Sequence, residues 1–109
     1  MSNPENILLV LTNVPDAATA NRIAETLVTQ KLAACVNVLS PCQSTYMWEG
    51  KLTHDSEIPM LIKTTQLQYH ALQEAIIKAH PYELPEIISI NVDGGLPQYL
   101  QWVSTQLSA

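Results

Sequence analysis

A chain of 109 residues has room for one domain with a core of its own, and not for two. Ten acidic against five basic side chains leave a formal charge of −5, which removes the phosphate-contact term of nucleic-acid binding and any basic stripe for anionic lipid. Apolar residues make up 47% and charged residues only 14%, too few to cover a small monomer, so apolar burial beyond the chain's own core is expected.

The opening residues MSNPEN carry no basic leader, and the apolar run Ile7 to Leu11 is too short to span a bilayer. Cys35 and Cys42 match neither a CxxC redox motif nor a zinc-finger spacing. These features predict a soluble cytoplasmic protein whose cysteines are thiols. Residues 6–13, NILLVLTN, read as a strand with apolar residues on both alternating faces. Pro15 and Asp16 then start an amphipathic helix of about four turns, with Ala20, Ile23, Ala24, Leu27 and Val28 at helical spacing.

Two strands follow, joined by a hairpin at Glu49–Gly50, the first running from Ala33 to Trp48. A second helix is predicted to begin near Thr65 as N-cap. It carries Leu72, Ala75, Ile76 and Ala79, and stops at His80–Pro81 because proline cannot continue it. EIISINVD, residues 86–93, is the last strand. Gly94–Gly95 breaks it, and Pro97 opens a C-terminal helix with Tyr99, Leu100, Val103 and Leu107.

The order β-α-β-β-α-β plus a final helix predicts an α+β, ferredoxin-like single domain over residues 1–109. Two helices on one sheet face should leave the other polar, yet Ile7, Leu9 and Leu11 alternate with Leu8 and Val10. Subunits are therefore expected to pack sheet to sheet. Ala33 to Trp48 would span about 50 Å if straight, more than a domain of this size uses internally. Pro41 should bend it, and the arm bearing Tyr46, Met47 and Trp48 should reach a neighbour in a closed oligomer. Pro59 predicts an edge or a bulge in the following strand.

HPYELPEI, residues 80–87, is the densest run of ligand-type side chains. Pro81 and Pro85 hold His80 and Leu84 extended, so the segment is stiff. His80 reads either as an acid, base or metal ligand, or as a joint answering the last carbonyls of the second helix. Cys35 reads as a buried small hydrophobe or as a soft ligand for copper or zinc. Lys63 reads as a snorkelling lysine or as an anion contact near Glu57. Phosphate-loop, nucleophile-elbow and kinase elements are all lacking, so no enzyme is predicted.

The stretches VPDAATANRIAETLVTQKLAACVNVLSP, STYMWEGKLTHDSEIPMLIKTT and HPYELPEIISI, with Tyr99 and Trp102, resemble the CutA family of divalent-cation tolerance proteins. The resemblance covers about residues 7 to 107. It implies a ferredoxin-like protomer in a compact homotrimer, a cytoplasmic protein of copper and divalent-cation tolerance. It also implies metal ligands at Cys35 and His80, with Glu86 or Glu83 in support and copper or zinc as the ion. Some relatives carry a cysteine at the end of the first strand, where this chain has Thr12, which implies weaker copper binding or binding elsewhere. The alternative is a signalling module resembling nitrogen-regulatory proteins. It would hold a small anion in an inter-subunit cleft formed by Lys63, His80, Tyr82, Glu83, Trp48 and Glu57.

Overall fold

A computed structural model describes residues 6–107, so the leader reading of the first residues lies outside the described part. Five strands and three helices follow in the order β1 (Ile7–Val14), α1 (Ala17–Thr29), β2 (Cys35–Val38), β3 (Cys42–Trp48), β4 (Lys51–Thr65), α2 (Tyr69–Ala79), β5 (Ile88–Asn91) and α3 (Pro97–Leu107). The sheet runs β2-β4-β1-β5, all neighbours antiparallel, with β3 continuing along the outer half of β4. The chain is thus α+β and ferredoxin-like, with the second strand of the pattern split in two.

The split corrects the expectation of one bent strand. Leu39, Ser40 and Pro41 leave the ladder between β2 and β3. Pro59 stands opposite this break: its carbonyl accepts the Leu39 N–H at 2.9 Å. The donor that proline lacks therefore points at a gap in the partner strand, where it costs nothing. Pro59 does not mark an edge, because β4 pairs with β1 on its other side through Asn13.

Period-two alternation sends Leu8, Val10 and Val14 of β1, with Ile58, Met60 and Ile62 of β4, to one face. There they pack against Ala20, Ile23 and Leu27 of α1 and Leu72 and Ile76 of α2. Asp16 starts α1: its Oδ1 accepts the Thr19 N–H at 2.7 Å. At the other end the Leu32 N–H reaches Leu27 O and the Lys31 N–H reaches Val28 O, a Schellman closure with Lys31 at φ 58° where glycine is usual. Val28, assigned to the buried stripe, is 42% exposed at the rim.

Thr65 does not cap α2. It ends β4 in register with Ile7, and α2 starts only after a turn closed by the Gln68 N–H on Thr65 O. The sheet ladder holds Thr65, so it is not free to act as a cap. β5 is shorter than expected, four residues, with Ile87 packed into the helix-side core instead.

On the second face α3 covers one end only, through Val103 and Leu107 on Ile7 and Ala34. Beyond it, cross-strand neighbours Leu9–Ile90 and Leu11–Ile88 continue an apolar surface, with Ile88 and Ile90 half exposed. The β3–β4 hairpin projects from the body. It turns at Glu49 and Gly50, both with positive φ (50° and 80°), the two-residue geometry that matches strand twist. The projection makes the long axis 46 Å against 25 and 23 Å for the others.

Candidate functional site

The segment after α2 is built from His80 outward. Pro81 keeps His80 extended (ψ 134°), and the ring turns back to the end of β1. Its Nε2 lies 2.7 Å from the Asn13 carbonyl, which only accepts, so Nε2 carries the proton. Its Nδ1 lies 3.1 Å from the Tyr82 N–H, which only donates, so Nδ1 is bare. Both nitrogens of a neutral imidazole are thereby used. His80 is buried; its ring joins the end of α2 to β1, while its backbone N–H bonds the Ile76 carbonyl of its own helix at 2.8 Å. Asn13 extends the joint: its Nδ2 donates to Glu86 Oε1 at 3.0 Å.

Tyr82 stacks obliquely on His80, ring centroids 4.8 Å apart. Burial pushes its phenol far above the ordinary value of 10, helped by the neighbouring carboxylates of Glu57 and Asp55. A second phenol–carboxylate pair stands beside it. Tyr46 on β3 donates to Asp55 on β4, and that bond raises Tyr46 as well. Strand register sets the two carboxylates side by side: Asp55 and Glu57 are two apart on β4, opposite Ser44 and Cys42, and so share a face.

Between the projecting hairpin and residues 81–88 lies a cleft of about 900 Å³. Tyr46, Trp48, Asp55 and Glu57 of the hairpin line one side, Tyr82, Glu83 and Glu86 the other, and Asn13 at the end of β1 lines it as well. Tyr82, Glu83, Trp48 and Glu57 of the expected cleft set are thus brought together within one protomer. Lys63 is not. It sits six residues along β4 from Glu57, about 20 Å away at strand rise, bonded to Asn37 Oδ1 at 3.0 Å and 5.8 Å from the Tyr99 ring centre. Within one protomer Lys63 is therefore not among the residues that line this cleft. Asp55 and Asn13 were missed in the sequence, although Asp55 was legible from its two-residue spacing to Glu57.

Cys35 stands apart from this corner. It pairs with Lys63, which pairs with Leu9, four residues along β1 from Asn13; two strand spacings across and four residues along put Cys35 about 16 Å from the His80 joint. Its thiol, half buried, contacts Asn37 Oδ1 at 3.9 Å. Cys35 therefore does not meet His80 and Glu86 in one protomer. Among the described residues no three His, Cys, Asp or Glu side chains gather into a group able to hold a metal ion. A metal centre closed within a single chain does not fit these residues. Thr12 is buried at 1% exposure with an unpartnered hydroxyl, a neutral oxygen where a thiol would be a soft ligand.

A family model described as "CutA1 divalent ion tolerance protein" matches residues 8–106. The "Divalent-cation tolerance protein CutA" of Pectobacterium atrosepticum is 41% identical over 100 residues, 92% of this chain and 91% of that one. The "Protein CutA homolog" of Xenopus laevis is 46% identical over 82% of this chain, which spans 59% of its length. The crystal structure of CutA1 from Shewanella sp. SIB1 superposes with a TM-score of 0.93 at 39% identity, over 98% of this chain and all of that one.

Proposed function

The chain belongs to the CutA1 divalent ion tolerance family, and from that premise we propose that it serves divalent-cation tolerance as a single-domain, non-enzymatic homotrimer in the cytoplasm. The observation that carries the reading is the second sheet face, where Leu9, Leu11, Ile88 and Ile90 continue past the end of α3. A surface of this kind is what a subunit interface covers. Two unpaired thiols, Cys35 and Cys42, are consistent with a reducing compartment.

Copper or zinc is cargo in this reading and is met between protomers. Cys35 supplies the soft ligand, and the His80–Glu86 corner of an adjoining protomer supplies the rest. Because both His80 nitrogens are engaged, His80 ligates only by exchanging its bond from the Tyr82 N–H for the metal. Cys35 is accordingly the first residue to test. Reduced, metal-free protein titrated with copper and with zinc, beside Cys35→Ser and His80→Ala, reads the binding while sedimentation reads the mass. The expected result is stoichiometric binding by the assembled protein, lost in Cys35→Ser with the mass unchanged. Equal binding by Cys35→Ser, or a native mass equal to the 12.1 kDa of one chain, overturns the corresponding part.

A further inference from the structure

The chain holds three aspartates, Asp16, Asp55 and Asp93, and the fold ties down two of them. Asp16 accepts the Thr19 N–H at the start of α1, and Ala17 after it is already helical. Asp55 accepts the Tyr46 hydroxyl, and Ser56 after it stands in the β3–β4 ladder opposite Gln43. Asp93 differs on both counts. It lies exposed, as does Gly94, in the segment 92–96 that links β5 to α3. Among the described residues neither the Asp93 carboxyl nor the Gly94 N–H has a hydrogen-bond partner. Gly94 is open on its side-chain face as well: a Cβ built there meets nothing within 4 Å.

A backbone nitrogen that follows an aspartate can attack the carboxyl carbon of that side chain when both groups are free to turn. The bond from Gly94 N to Asp93 Cγ forms, the Cγ–OH bond breaks, and the hydroxyl leaves as water with the Gly94 proton. The cyclic imide then takes water back at either carbonyl. Addition at Cγ restores aspartate. Addition at the main-chain carbon leaves the chain running through the side chain, as isoaspartate. Mass is conserved, and no oxidant or second substrate is needed. Glycine offers the attacking nitrogen the least hindrance and the widest choice of φ and ψ, and a backbone with no bonds to break opens at little cost. We propose that Asp93–Gly94 is a modification site at which the folded protein converts spontaneously to isoaspartate. The added main-chain carbon falls between two anchors of one apolar cluster, Val92, whose N–H bonds Ile7 O at 3.0 Å, and Leu100 of α3. The change therefore marks the tether of the helix that covers one end of the second sheet face.

Trypsin places the three aspartates in separate peptides, 1–22, 52–63 and 79–109. The assembled protein is aged at physiological temperature and neutral pH, then unfolded and digested, and chromatography with mass detection reads isomers of equal mass. A free peptide of residues 88–98 serves as the unfolded reference. Isomerisation is expected in peptide 79–109 alone, at a rate within about tenfold of the free peptide's. Gly94→Ala, which the open space accommodates, should slow it several-fold. Asp93→Glu should remove it, because the longer side chain closes the ring far less readily. Isomers in peptide 1–22 or 52–63 at an equal rate, a slower folded rate than that bound, or an unchanged rate in Gly94→Ala overturns the proposal.

Discussion

The two faces of the sheet are made from the same strands and end in opposite conditions. On the helix side Val10, Val14, Met60 and Ile62 are fully buried, covered by α1 and α2. Their neighbours one residue away, Leu9, Leu11 and Leu61, are half buried, and Ile88 and Ile90 on the edge strand are about half exposed. One face is complete within the protomer; the other is complete only at the end under α3. Hydrophobic residues stand on both, and what differs is that this chain covers one face and leaves much of the other open.

The sharpest way to break that comparison is to truncate one isoleucine on each face. Ile62→Ala empties a space inside a closed core and should cost about 2–5 kcal/mol, read by denaturant unfolding and independent of protein concentration once the oligomer has dissociated. Ile90→Ala should change the stability of the isolated protomer little. Its effect should instead grow on dilution, because it acts on association. If the two losses depend on concentration alike, the faces are not different in kind.

A smaller effect tests how complete the closed face is. Thr12 lies within it with a buried, unpartnered hydroxyl, so Thr12→Val removes an unsatisfied group at nearly constant volume. A gain of about 1 kcal/mol in unfolding free energy is expected. A loss would show that the hydroxyl finds a partner once subunits assemble.

The smallest effect concerns the rim that fixes α1 over this face. The backbone N–H of Thr19 is the main cause holding the Asp16 carboxyl below its ordinary 3.8. The folded chain therefore takes up that proton less readily than the unfolded one. The contribution of the cap is full above pH 3.8 and fades as the pH falls through the lowered folded value. Thermal midpoints measured from neutral to acid pH should converge for the parent and Asp16→Ala at the acid end. A gap that widens on acidification would contradict the assignment.

Much of this was readable before any coordinates. The alternation in ILLVL, the Pro15–Asp16 start, the Glu49–Gly50 turn and the proline after His80 are local signals, and each acts within a few residues of where it is written. The errors have one source. Thr65 looks like a helix cap and Ala33–Trp48 like one strand as long as only neighbours in sequence are considered. Pairing of Thr65 with Ile7, and the proline at position 59 opposite Leu39 to Pro41, are set by residues far away.

The sequence alone determined the three helices, the hairpin turn, the order of the elements and the need for cover on both sheet faces, because these depend on side-chain period and backbone chemistry along the chain. The tertiary structure alone decided which ligand-type residues meet. Strand register put Asp55 and Glu57 on one face of β4, where they meet Tyr82 and Glu86 of the segment after α2, left Lys63 about 20 Å further along β4, and left Cys35, two strands across from β1, about 16 Å from the His80 joint. Distance across a sheet depends on register, and register is settled only when the strands pair.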